Sequence, residues 1–181
     1  MGKKHPAIEG PIREFIERQK MFFVATAPLD PQGSVNISPK GLDTFRILGP
    51  KSVAYLDLTG SGAETVAHLK ENGRITLMFC ALQGPPKILR LRGRGRAIEP
   101  PGPEFARLRS HFPEIAGARA IVLVEVDDIS DSCGYGVPLF RYEGERDQYF
   151  AWAGKLGEQG LNDYQEKNNR QSIDGLPGLS R

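Results

Sequence analysis

Three stretches of this chain place polar side chains where they could hold a ligand. The first runs from Thr59 to Thr65 as Thr-Gly-Ser-Gly-Ala-Glu-Thr, directly after the strand-like run Ser52–Leu58. Its glycines suggest a phosphate cradle, but position 65 is Thr, so the dinucleotide fingerprint fails. No Gly-Lys-Ser/Thr closes it as a P-loop either. Two readings remain. Ser61 and Glu64 have the spacing of a capping box, and Gly73 stands where a helix C-terminus favours positive φ; that needs no ligand. Alternatively, the free N–H groups and positive dipole end of the following helix, with the hydroxyls of Thr59, Ser61 and Thr65, suit a phosphate. In the second stretch Asn36, Ser38 and Lys40 alternate, so they share one side of a strand and either face water or line a cleft. In the third, Arg90, Arg92, Arg94 and Arg96 share one strand face, with Leu89, Leu91, Gly93 and Gly95 on the other. Four like charges in a row need acidic partners, solvent or an anion. The plainer reading is a solvated face paired with carboxylates of other strands.

Other reactive residues point to less. Cys133 sits between Ser132 and Gly134, with Tyr135 close by and no histidine near in sequence to act as a base. Such a loop makes a tight turn or packs on a planar ligand. His5, His68 and His111 are isolated, and no metal-ligand spacing occurs.

The elements that would position these residues follow from pattern. Residues 9–20 have helical apolar spacing, and residues 62–72 and 103–112 also read as helices. Strand-like runs cover 21–28, 34–40, 52–58, 74–82, 87–99 and 118–130, the first two joined by a Pro31–Gly33 turn. Few helices and hairpin-like links favour a small antiparallel barrel over a Rossmann domain, which alternates strands and helices. Residues 1–143 form the barrel domain. The polar, glycine-rich residues 144–181 form a tail with one or two helices, packing on the barrel or on a second subunit.

Bulk properties narrow the class. The chain has 181 residues, 39% of them hydrophobic, which suffices for one core. A net charge of +2 gives no ground for a nucleic-acid partner, and two cysteines form no disulfide framework. No apolar run reaches the roughly 18 residues of a membrane span, and no signal-peptide pattern opens the chain. A cytoplasmic protein is the expectation.

In order, Phe22–Ala27, Asn36–Gly41, Ala54–Phe79, Ile88–Arg96 and Asp131–Phe140 resemble the pyridoxamine 5′-phosphate oxidase-like family of FMN-binding split-barrel proteins. The resemblance spans about residues 9–140. It implies a mainly β fold with flanking helices, a six-stranded antiparallel Greek-key split β-barrel. It also implies a homodimer with FMN at the interface. FMN phosphate and ribityl would lie near Thr59, Gly60, Ser61 and Thr65, with contacts from Asn36, Ser38 and Lys40. The partner subunit would close the site through Arg90 and Arg92 or through Cys133, Gly134 and Tyr135. Oxidases of the family carry a Ser-Arg-Lys run at the helix start, where this chain has Glu64 and Thr65. The oxidase's C-terminal Trp and Arg-Leu pattern is absent as well, although Trp152 is present. The implied function is therefore an FMN-dependent oxidoreductase acting on something other than pyridoxamine phosphate. The alternative is a non-catalytic flavin- or haem-binding protein using the same cleft.

Overall fold

The computed structural model describes residues 2–180. Eight strands form one antiparallel sheet: β1 (Lys4–His5), β2 (Phe22–Thr26), β3 (Asn36–Lys40), β4 (Phe45–Gly49), β5 (Ser52–Leu58), β6 (Arg74–Cys80), β7 (Ile88–Ile98) and β8 (Ala118–Ser132). The order across the sheet is β3-β2-β6-β7-β8-β5-β4, and β1 adds to β8. Four helices flank it: α1 (Gly10–Arg18), α2 (Glu64–Glu71), α3 (Pro103–Arg109) and α4 (Gln148–Asn168). The fold class matches the expectation, with β1 and β4 as additional strands. β4 escapes pattern reading because all its residues are half-buried and its polarity does not alternate. It is a hairpin partner of β5, with Phe45 opposite Tyr55.

The sheet rolls around an aromatic cluster. Phe22 of β2, Phe45 of β4, Tyr55 of β5 and Phe79 of β6 have ring centroids 5.1–5.7 Å apart. β2 and β4 are far apart in the strand order, so these contacts require the sheet to curl. Aliphatic side chains, including Val24, Val53, Leu77, Leu89, Leu91, Val122 and Val124, complete this core. The amphipathic α1 covers it with Ile12, Phe15 and Ile16, as its 3.6-residue spacing dictates. A second cluster lies under α3 and includes Leu56, Ile98, Leu108, Phe112 and Ile121.

β7 shows how the arginine run is accommodated. Leu89 and Leu91 are fully buried, and Arg92, Arg94 and Arg96 are exposed. Each arginine has a partner: Arg90 donates to Ser132 Oγ at 3.1 Å, and Arg92 to Asp128 at 2.7 Å. Arg94 donates to the Asn72 carbonyl at 2.7 Å and Arg96 to Glu104 of α3 at 2.7 Å. Gly93 sits beside a bulge in the β7–β8 pairing, where the Glu125 carbonyl comes close. A Cβ built on Gly93 collides with that carbonyl, which is backbone and cannot rotate aside.

The tail folds against the barrel of its own chain. α4 is two helical stretches meeting at Gly157, whose φ of 63° breaks the helix. Gly93→Ala is expected to destabilise the fold by about 1–3 kcal/mol, read as a lower urea midpoint with an unchanged slope. An unaltered midpoint would show that the strands separate freely there.

Candidate functional site

β5 carries a carboxylate where its pattern calls for an apolar side chain. Asp57 is fully buried within a strand covered on both faces. A buried carboxylate needs partners, and Asp57 has one on each oxygen. Lys40 Nζ of β3 donates to Oδ1 at 2.9 Å, and Arg119 Nε of β8 donates to Oδ2 at 2.8 Å. Arg119 reaches it through a local irregularity. Leu58 pairs with Ala118 and Asp57 with Ala120, so Arg119 is the extra residue of a bulge. The bulge turns the guanidinium onto the face of Asp57. Burial pushes the Asp57 carboxyl up, but the charges of Lys40 and Arg119 and their hydrogen bonds outweigh it and hold it at about 2. Beside it, burial and the Asp57 charge raise the Tyr55 phenol well above its usual range, so it stays neutral.

Above this triad lies a polar cleft of about 340 Å³. Asn36, Ser38 and Lys40 come to it from β3, Leu58 from β5, and Arg119 from β8. Gly60, Ser61 and Gly62 come from the β5–α2 turn, and Glu64 and Thr65 from the first turn of α2. The polar groups on its β3 side are ordered as a network. Ser38 Oγ donates to Asn36 Oδ1 at 3.1 Å. Asn36 Nδ2 donates to Thr26 Oγ1 at 3.1 Å and to Thr65 Oγ1 at 3.0 Å. Thr26 Oγ1 is in turn 2.9 Å from Nδ1 of the buried His68. Burial lowers the His68 pKa against the raising influence of Glu64, Asp174 and Glu71. His68 thus acts as a neutral support behind the cleft.

The turn is held from both sides. Arg119 Nη1 donates to the Gly62 carbonyl at 2.8 Å. Thr59 Oγ1 donates to the Gly117 carbonyl at 2.7 Å and accepts from Gln165 Nε2 of α4 at 2.7 Å. Asn169 Nδ2 donates to the Gly60 carbonyl at 2.9 Å. The expected Ser61–Glu64 capping box does not form: Ala63 is the N-cap, without a side-chain cap. The Glu64 carboxylate is used elsewhere: its Oε1 accepts from the Ile173 backbone N–H at 3.0 Å. Gly73 does adopt φ +70° after α2, as its position required.

The structure therefore gathers Asn36, Ser38, Lys40, Gly60, Ser61 and Thr65 around one cleft. Thr59 lies buried beneath the turn. Arg90 and Arg92 do not line this cleft and are engaged by β8 side chains. Cys133, Gly134 and Tyr135 follow the end of β8, where Cys133 is exposed and Tyr135 is 82% exposed. Pattern reading missed Asp57 and Arg119. Both carried a signal: a lone charge inside an apolar strand-like run implies a buried partner. The described residues contain no cluster of three or more His, Cys, Asp or Glu side chains fit for a metal. Among them, no helix is long and apolar enough to cross a membrane.

The family model described as pyridoxamine 5′-phosphate oxidase matches residues 8–133. The chain belongs to the pyridoxamine 5′-phosphate oxidase family. It is 40% identical over 185 residues to the family protein ustO of Aspergillus flavus, covering 93% of this chain and 74% of that protein. Among solved structures, HupZ of Group A Streptococcus superposes with a TM-score of 0.52 at 19% identity, covering 69% of this chain and 99% of HupZ. An FAD-binding protein of Mesorhizobium loti gives 0.51 at 12% identity, covering 72% and 96%. These likenesses show the split-barrel fold.

Asp57 links the site to acid stability. Its folded pKa of about 2 lies below its ordinary 3.8. Its contribution, about 2 kcal/mol, is therefore whole above pH 3.8 and is lost as pH falls toward 2. Asp57→Asn is expected to lose about 3 kcal/mol at neutral pH, because Lys40 and Arg119 keep their charges without a counterion. It should also flatten that acid slope. Urea titrations at several pH values check both, and a variant as stable as the parent would contradict the triad's role.

Proposed function

We propose that this protein is a flavin-dependent oxidoreductase that takes FMN as its flavin and acts on a small molecule other than pyridoxamine phosphate. The observation that carries this reading is the polar cleft at the β5–α2 turn. Its hydroxyls and amide on β3 and the turn, its guanidinium on β8 and its ammonium on β3 converge on one volume. That donor set fits a ribityl chain: Ser38, Ser61 and Asn36 suit the sugar alcohols, while Lys40 and Arg119, both paired with Asp57, line the same cleft. Membership of the family supports the cofactor class. When bound, the flavin would supply the electron-transfer chemistry, and the protein's part is to hold and orient it. The lining includes no histidine, cysteine, methionine or tyrosine. Among the described residues of one protomer, the lining is thus made of hydroxyl, amide and charged groups, which suit a flavin's ribityl chain.

The second subunit belongs to the same proposal. β3 is an edge strand, and beside the cleft it and the preceding residue expose Ile37 at 63% and Val35 at 75%. Leu139 and Phe140, in the segment after β8, are also exposed. Apolar side chains on a strand edge invite pairing. We assign them to a homodimer interface that covers the open side of the cleft.

Two measurements test the proposal. Ser38→Ala with Ser61→Ala should weaken flavin binding about tenfold, at roughly 0.5–1.5 kcal/mol per lost hydrogen bond, with cooperative thermal unfolding retained. Fluorescence quenching of added FMN reads this, and equal affinity would move the flavin elsewhere. Mixing the flavin-loaded protein with NADH or NADPH then separates the readings: bleaching and reoxidation over many turnovers indicate an enzyme, and an unresponsive flavin indicates a carrier. For the interface, Ile37→Glu should convert a dimer to a monomer in sedimentation velocity. A parent protein that sediments as a monomer would remove the second subunit from the site.

A further inference from the structure

The cleft's charges balance without a ligand. Two cations line it, Lys40 and Arg119. Both already serve Asp57, one on each carboxylate oxygen, at 2.9 and 2.8 Å. Arg119 also spends Nη1 on the Gly62 carbonyl. A second carboxylate, Glu64, lines the cleft itself. Two positive charges thus face two negative ones.

Glu64 is held in this position. It opens α2, at the end of the helix that attracts anions. Its carboxyl group lies over Gly62, where a Cβ would touch both carboxyl oxygens. Oε1 accepts from the Ile173 N–H at 3.0 Å, and the segment around Ile173 is itself anchored. Asp174 accepts from the Ser34 N–H at 2.7 Å and from the Ser34 hydroxyl at 2.9 Å. On the other side of Ile173, Asn169 is tied to the Gly60 carbonyl. The protein's own carboxylate therefore occupies the turn where the family resemblance places the phosphate.

We infer that Glu64, positioned by the Ile173 amide, is a specificity determinant that strips the cleft of its preference for a doubly charged phosphate ester. The inference rests on the flavin reading. A phosphate monoester carries about −1.5 to −2 charges near neutral pH. In this cleft it meets no uncompensated cation and one fixed carboxylate. Like charges there repel, most strongly at low salt. The uncharged donors Asn36, Ser38 and Ser61 bind a polyol irrespective of charge. Affinity is then carried by the ring and the ribityl chain, and the phosphate contributes little.

The test compares riboflavin with FMN, by quenching of flavin fluorescence at pH 8 and low salt, in the parent and in Glu64→Gln. The glutamine side-chain oxygen can still accept from the Ile173 N–H, so the variant removes the charge and keeps the tie. Thermal unfolding checks that the variant folds. The parent is expected to bind the two flavins within about threefold of each other. Glu64→Gln should tighten FMN about tenfold, with riboflavin unchanged, and the gain should shrink as salt rises. A parent that binds FMN more than about thirtyfold tighter than riboflavin overturns the inference and leaves the flavin reading standing. So does a variant in which the two flavins change together or not at all. Binding of neither flavin to either protein overturns both.

Discussion

Asp57 is the point on which this structure turns. A carboxylate with no solvent exposure is tolerable only if its charge is matched at close range, and here two cations from two different strands match it. Lys40 lies on the edge strand β3 and Arg119 on β8, which are separated by several strands in the sheet order. Satisfying one buried charge thus requires the sheet to roll until β3 stands over β5. The aromatic cluster of Phe22, Phe45, Tyr55 and Phe79 imposes the same closure from the apolar side. Polar and apolar requirements agree, as expected of a chain with a single native arrangement.

The cleft follows from that closure. Asp57 holds Lys40 and Arg119 to one volume, and the bulge opposite Asp57 and Leu58 turns Arg119 toward it. The same guanidinium then braces the Gly62 carbonyl, so the ion cluster and the turn form one assembly. Residues 165–180 complete it from outside, through Gln165, Asn169 and Ile173 on the turn and α2. Lys70 extends the attachment, bonding the Gly178 carbonyl and pairing with Glu99 at 2.8 Å. The tail is a structural wall of the cleft's neighbourhood, which explains why Gln165, Asn169 and Ser172 are buried.

The arrangement modifies a family theme. The fold supplies a strand-to-helix turn beside an edge strand, and the helix start decides the charge offered there. With Glu64 and Thr65 at that start, positive charge has to come from the barrel wall, and Asp57 already draws on it. The proposed flavin site depends on hydroxyl and amide donors more than on net charge.

Much of the fold was legible in the sequence because it rests on local pattern. Strands β2, β3, β5, β6, β7 and β8, α1 and the Gly73 helix stop all follow from periodicity and backbone preference. The alternation of Arg90 to Arg96 correctly separated an outward polar face from a leucine-lined inward one. Asn36, Ser38, Lys40, Ser61 and Thr65 could be nominated because their spacing puts them at one strand face or one turn. Other features depend on what stands opposite after folding. Ser61 and Glu64 have capping-box spacing, yet Glu64 bonds a backbone amide 109 residues away, which no local rule contains. Asp57 and Arg119 lie 62 positions apart, and only the β5–β8 register and its bulge bring them into contact. The sequence by itself determined most of the elements, the family and most of the cleft's donors, because those are properties of neighbouring residues. Only the tertiary structure decided how the charges cancel, because an ion pair is set by distance in space and is blind to distance along the chain.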